Sequence, residues 1–82
     1  MSGTPVDLEL DCRGMLCPQP IIELARHLGD VPVGAVVAVV ATDVAARYDV
    51  PAWCRMRGQE HLGSEPTEDP DGAERHLVRR LA

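Results

Sequence analysis

Residues 35 to 41 read Ala-Val-Val-Ala-Val-Val-Ala, a stretch without one polar side chain. It is too short for a buried helix, and its branched side chains suit a pleated surface. A strand with one wet face would alternate apolar and polar residues; this one does not, so both of its faces are covered, as in a central strand flanked by helices. A chain of 82 residues holds one core and no second. The rest of the sequence must therefore be arranged around this strand.

Upstream, Val6, Leu8 and Leu10 alternate with Asp7 and Glu9, the period of a strand with one buried face. Met1 to Pro5 is a polar, frayed arm, and residues 6–82 form a single domain. Asp11 to Leu16 is a loop opened by Gly14, after which Cys17-Pro18-Gln19-Pro20 begins a helix. Ile21, Leu24, Ala25 and Leu28 follow the spacing of a core-facing stripe, and Gly29 is a natural stop. Pro32 and Gly34 make the turn into the central strand, and Thr42 and Asp43 are turn or cap residues beyond it.

Val44 to Tyr48 has room for one helical turn, and Pro51 breaks a helix running through it. The main second helix is therefore expected after an Asp49 cap, with Pro51 in its first turn. Val50, Trp53, Cys54 and Arg57 then form its inner face, and Gly58 ends it. Gln59 to Glu65 reads as a strand and Pro66 to Gly72 as an acidic hairpin loop. Leu77, Val78 and Leu81 suit a helix as well as a strand, so local pattern leaves the last element open. The alternation of strands and helices implies a two-layer α/β sandwich with both helices on one face of the sheet. A helical crossover makes the first two strands parallel.

Composition narrows the function classes. The net charge is −5, aromatics are 2% of residues, and Lys is absent. Such a chain is unsuited to broad phosphate-backbone binding or to stacking bases, so no direct nucleic-acid partner is expected. Without Lys there is no Schiff-base chemistry and no Walker-type phosphate lysine. Met1 to Glu9 has no basic segment followed by an apolar one, and no apolar run reaches the roughly 18 residues of a membrane span. The expected location is the cytoplasm, with no membrane association. There, three cysteines are free thiols rather than a disulfide framework.

Cys17 is the position that points to chemistry. Pro18 fits the first helical position and Pro20 lies in the same turn, before intrahelical N–H bonds are needed. Two prolines thus set where the helix begins and put Cys17 at its cap. The positive end of the helix dipole favours a thiolate there, so the thiol pKa is expected to fall. Each proline also deletes a backbone donor, which Gln19 N–H and the Arg13 side chain are placed to replace. The bland alternative is that Cys17 is a small buried hydrophobe.

Cys12 lies five positions upstream, a spacing that matches neither a C-x-x-C dithiol nor a zinc ligand set. A Cys12–Cys17 disulfide across a strand end and a helix start remains geometrically conceivable. Metal binding would need Cys54, His27, His61 or His76, which are scattered, so no metal is expected. Cys54 reads as core packing. Asp43 reads as a cap, with partner binding the alternative, and the helix arginines read as a solvated face.

These residues carry a family resemblance. Leu10-Asp11-Cys12-Arg13-Gly14-Met15-Leu16-Cys17-Pro18-Gln19-Pro20 resembles the Leu-Asp-x-Arg-Gly-x-x-Cys-Pro-x-Pro signature of the TusA/SirA-like sulfur-carrier proteins. Thr42 to Cys54 is similar to the family's second block, with Val44 where the family usually has Pro. The resemblance spans nearly the whole chain. It implies a β-α-β-α-β-β sandwich with a mixed four-stranded sheet, which makes the final element a strand. It implies that Cys17 carries sulfur as a persulfide, supported by Arg13, Gly14, Pro18, Gln19, Pro20 and Asp43, without a cofactor. The implied donor is a cysteine desulfurase or a rhodanese-like protein. The acceptor is a downstream carrier, with tRNA thiolation one destination among several. The competing reading from the residues is a thiol redox switch or regulatory binding module using Cys12 and Cys17. An RNA-binding domain is the weakest reading, given the acidic charge.

Overall fold

A computed structural model describes residues 5–82; the frayed arm expected over Met1 to Pro5 lies, but for Pro5, outside the described residues. The elements are β1 (Leu8–Cys12), α1 (Gln19–His27), β2 (Val36–Ala41), α2 (Ala46–Arg57), β3 (Glu60–Pro66) and β4 (Glu74–Arg79). They form one sheet in the order β1-β2-β4-β3. β1 and β2 pair in parallel, and β4 is antiparallel to both of its neighbours. The final element is a strand, the outcome that local periodicity left open.

All six residues of β2 are buried, as its composition demands. Register explains how. Val37, Val39 and Ala41 point with Leu8, Leu10 and Cys12 of β1 and Val78 of β4 toward the helices. There they meet Leu24 and Leu28 beside α1 and Ala46, Val50, Trp53 and Cys54 of α2. Each fully buried Val or Leu in such a cluster contributes about 1.5–3 kcal/mol relative to exposure. Val36 and Ala38 point the other way and pack with Leu77, Val6 and Leu62. Among the described residues, no helix lies over that second face. Its apolar strip is covered instead by long side chains: Arg75 reaches Glu9 and Glu65, and Arg79 reaches Glu60. The stems of such arginines cover apolar surface while their heads stay in water.

Four local expectations are corrected. The stripe of α1 is narrower than its spacing suggests, because Leu24 is fully buried while Ala25 is exposed. Gly29 does not stop the helix in a left-handed conformation. The chain tightens into a 3-10 turn over Leu28–Asp30 and departs at Val31. The largest difference concerns α2, which is one continuous helix containing Pro51 rather than a helix capped by Asp49. It is seeded earlier, by a tight turn in which Ala46 N–H donates to Asp43 O and Arg47 N–H to Val44 O. Ala46, Val50, Trp53 and Cys54 then form one buried stripe that runs past the proline. An interior proline costs about 3 kcal/mol. Burying Val50 and Ala46 on the same stripe offsets a loss of that size. Arg57, expected on the inner face, is exposed, and Gly58 ends the helix with φ 71° as expected.

The hairpin between β3 and β4 runs from Thr67 to Ala73, and Thr67 N–H donates to Ala73 O at its base. β3 is an edge strand, interrupted by a bulge between His61 and Gly63, where Gly63 takes φ 125°.

Candidate functional site

β1 and β2 are parallel and in register to their last residues, Cys12 opposite Ala41. The two chains therefore leave the sheet side by side at the same end. The loop from Arg13 to Pro18 and the turn from Thr42 to Ala45 emerge together. Hydrogen bonds tie them: Gly14 N–H donates to Thr42 Oγ1 at 3.0 Å, and Cys17 N–H donates to Asp43 Oδ2 at 2.9 Å. Gly14 takes φ 81°, a conformation glycine adopts without strain. Asp43 Oδ1 meanwhile accepts from Ala45 N–H at 3.0 Å, which seeds α2. One carboxylate thus positions the cysteine backbone and starts the second helix. Those two bonds hold the Asp43 carboxyl below the usual carboxylate range.

Cys17 is exposed, whereas Cys12 and Cys54 are buried, and none is in a disulfide. Cys12 faces the helix-side core, and burial pushes its thiol up. Burial pushes Cys54 up to about 11. The Cys17 Sγ–H donates to Asp49 Oδ2 at 3.0 Å. That bond, burial, and the charges of Asp49 and Asp43 raise the Cys17 pKa, opposite to the expected fall. The sequence offered no direct sign of Asp49 in this role, because its place as a cap would have turned it elsewhere. Once α2 begins at Ala46, Asp49 lies in its first turn and faces the neighbouring loop.

The prolines also sit one position differently. Pro18 is the N-cap of α1, Gln19 is its first residue and Pro20 its second, so Cys17 precedes the cap. Pro20 is buried and Pro18 exposed. The two expected compensators turn away from the sulfur. Gln19 N–H donates to Leu16 O at 2.8 Å. Arg13 holds both oxygens of Asp11 at 2.9 Å and reaches Asp69 in the β3–β4 hairpin at 2.8 Å. The guanidinium pulls the Asp11 carboxyl down to about 2. Arg13 therefore straps the cysteine loop to the hairpin rather than touching the thiol.

Beside the carboxylates, exposed apolar residues adjoin the site in sequence. Leu16, Val44 and Tyr48 are 75%, 69% and 70% exposed. Each adjoins a residue of the thiol site: Cys17, Asp43 and Asp49. A groove of about 590 Å³ lies elsewhere, on the open sheet face among Asp11, Arg13, Glu65, Asp69 and Arg75, and Cys17 does not line it. Among the described residues, no three His, Cys, Asp or Glu side chains are grouped to hold a metal ion, and no helix is long and apolar enough to cross a membrane. The arrangement is a single exposed thiol, held against a carboxylate and flanked in sequence by exposed apolar residues, open to reaction with a group presented by another macromolecule.

The chain has relatives among known proteins. Residues 8–80 match the family described as Sulfurtransferase TusA. The sulfur carrier protein TusA of Pseudomonas syringae pv. syringae (strain B728a) is 38% identical over 63 residues, covering 77% of this chain and 75% of that one. The sulfur carrier protein TusA of Pseudomonas entomophila (strain L48) is 39% identical over 59 residues, covering 72% of this chain and 74% of that one. The crystal structure of a SirA-like protein from Desulfitobacterium hafniense shares the fold, with a TM-score of 0.71 at 22% identity over 92% of this chain and 99% of that one.

Proposed function

The chain belongs to the Sulfurtransferase TusA family, and from that membership we propose that it is a sulfur carrier that holds sulfane sulfur as a persulfide on Cys17. The observation that carries this reading is the contrast among its thiols: Cys17 is exposed, and Cys12 and Cys54 are buried. Attack at a sulfane sulfur follows the rules of thiol–disulfide exchange, which demand access and an ionisable attacker. Only Cys17 has the access. A cysteine desulfurase or a rhodanese-like protein supplies the sulfur, and a downstream protein takes it. tRNA thiolation is one destination for such sulfur. The protein acts stoichiometrically, one sulfur per cycle, and needs no cofactor for the exchange.

The burial of Cys12 and its raised pKa favour the relay over a switch between Cys12 and Cys17. The test is incubation with a cysteine desulfurase and free cysteine, then intact mass under non-reducing conditions. The wild type and the Cys12→Ser variant gain one sulfur atom, and Cys17→Ser gains none. A Cys17→Ser protein that still gains sulfur, or a Cys12→Ser protein that no longer does, would sink the assignment.

A further inference from the structure

A thiol has one proton to give, and here it is aimed at a carboxylate. Cys17 Sγ lies 3.0 Å from Asp49 Oδ2. The other groups around the sulfur are spoken for. Both Asp43 oxygens accept backbone N–H groups, from Cys17 and from Ala45. The Arg13 guanidinium is held by Asp11 and Asp69, and that of Arg47 by Glu74. At the start of α1, Gln19 N–H turns back to Leu16 O. Among the described residues, two carboxylates and no free cation face the sulfur, so its resting form is the thiol. A thiol does not attack; the thiolate does. Loading therefore needs an acceptor for the proton as the donor arrives.

Resting on the carrier reading, the geometry points to Asp49 as that acceptor, the general base of sulfur loading. The step balances without an external oxidant. Asp49 Oδ2 takes the proton of Cys17 Sγ–H. The Sγ lone pair forms a bond to the outer sulfur of the donor persulfide R–S–SH, and the S–S bond of the donor breaks. The products are Cys17–S–SH, the donor thiolate R–S⁻ and the neutral Asp49 carboxyl. The sulfane sulfur keeps its oxidation state, and the Asp49 proton then neutralises the donor thiolate directly or through water. The same carboxylate explains why an exposed thiol is built beside negative charge. It keeps the sulfur protonated between encounters, when an ionised thiol would be open to oxidants, and it deprotonates the sulfur during them. The outer sulfur of the loaded form sits about 2 Å beyond Sγ.

The two roles predict opposite responses in one variant. Asp49→Asn keeps the size of the side chain and its carbonyl acceptor but removes the charge and the base. Exchange of Cys17 with a neutral aromatic disulfide, followed against pH in a protein carrying Cys12→Ser and Cys54→Ser, moves to a lower midpoint in Asp49→Asn. Loading by the desulfurase, followed by stopped-time intact mass, slows at least about tenfold, the lower part of the range for general bases being near a hundredfold. Asp49→Glu, which restores a carboxylate, recovers part of the loading rate, and circular dichroism checks that each variant is folded. Loading that is unchanged or faster in Asp49→Asn, or an exchange midpoint that stays in place, overturns the role of Asp49 and leaves the carrier reading standing. A wild-type protein that gains no sulfur overturns the carrier reading itself.

Discussion

At Cys17 a helix start and two carboxylates pull one proton in opposite directions. The dipole of α1 presents about half a positive charge at its N-terminus, and that influence fades within a turn. Pro18 and Pro20 remove two of the N–H groups that would express it. Against this stand a full negative charge 3.0 Å away on Asp49 and a second on Asp43, so the carboxylates win. Asp43→Ala tests the balance. It removes one charge and the acceptor of Cys17 N–H, so alkylation of Cys17 by iodoacetamide shifts to a lower pH. It also removes the cap that seeds α2, so the melting temperature falls by a few degrees, as cap losses do. An unmoved alkylation midpoint in a folded variant would show that Asp43 does not reach the thiol. The misreading from sequence has a plain physical origin. The local helix signal lies within three residues of Cys17, whereas its carboxylate partners are 26 and 32 residues away and become neighbours only through the parallel pairing of β1 and β2.

At the scale of the element, pattern was legible where one interaction dominates. The apolar run of β2, the alternation in β1 and the glycine stop of α2 were each readable from side chains alone. Two elements were not. An Asp49 cap with Pro51 in the first turn is the reading the proline invites, but the Asp43-seeded turn begins the helix at Ala46, ahead of both, and the buried stripe holds it together. The last strand carries Leu77 and Val78 in a pattern shared by helix and strand, and only the family resemblance settled it. Gly58 offers a clean measure of what an element boundary is worth. Its φ is 71°, and a Cβ there would meet nothing within 4 Å. The whole cost of Gly58→Ala is therefore backbone strain, about 1–2 kcal/mol, read as a lower urea midpoint with an unchanged m-value. A neutral result would mean that the C-terminus of α2 relaxes out of the left-handed conformation.

At the scale of the molecule, burial of titratable groups sets how the fold meets acid. His76 is 1% exposed, and its Nδ1 lies 2.7 Å from Ser64 Oγ. Burial lowers its pKa, opposed in part by Glu74 and aided by His61 and Arg47. His61 is also lowered by burial, and its Nε2 has no hydrogen-bond partner among the described residues. A histidine with a depressed folded pKa binds its proton more readily in the unfolded chain. The stability it contributes is complete above the ordinary value of 6.5 and is lost as pH falls from there through the folded pKa. Asp11 and Asp43, also depressed, add a second loss as pH falls below the ordinary carboxyl value of 3.8 toward their folded values. Urea midpoints should therefore decline in two stages on acidification. His76→Gln, which can keep a bond to Ser64, should flatten the decline between pH 7 and pH 5; a decline equally steep in the variant would exclude His76 as its source.

β3 is the rim of the sheet beyond β4, and its free edge is where another chain could add a strand. The kink at His61 and Gly63 breaks the even comb of amide and carbonyl groups that such an addition requires. Glu60 and Glu65, on either side of the kink, pair with Arg79 and Arg75 of β4, so charged side chains rather than apolar ones line the edge strand. For the carrier role proposed for Cys17, such an edge leaves the sulfur end of the sheet as the surface offered to partners, because the kink opposes strand addition by a second copy.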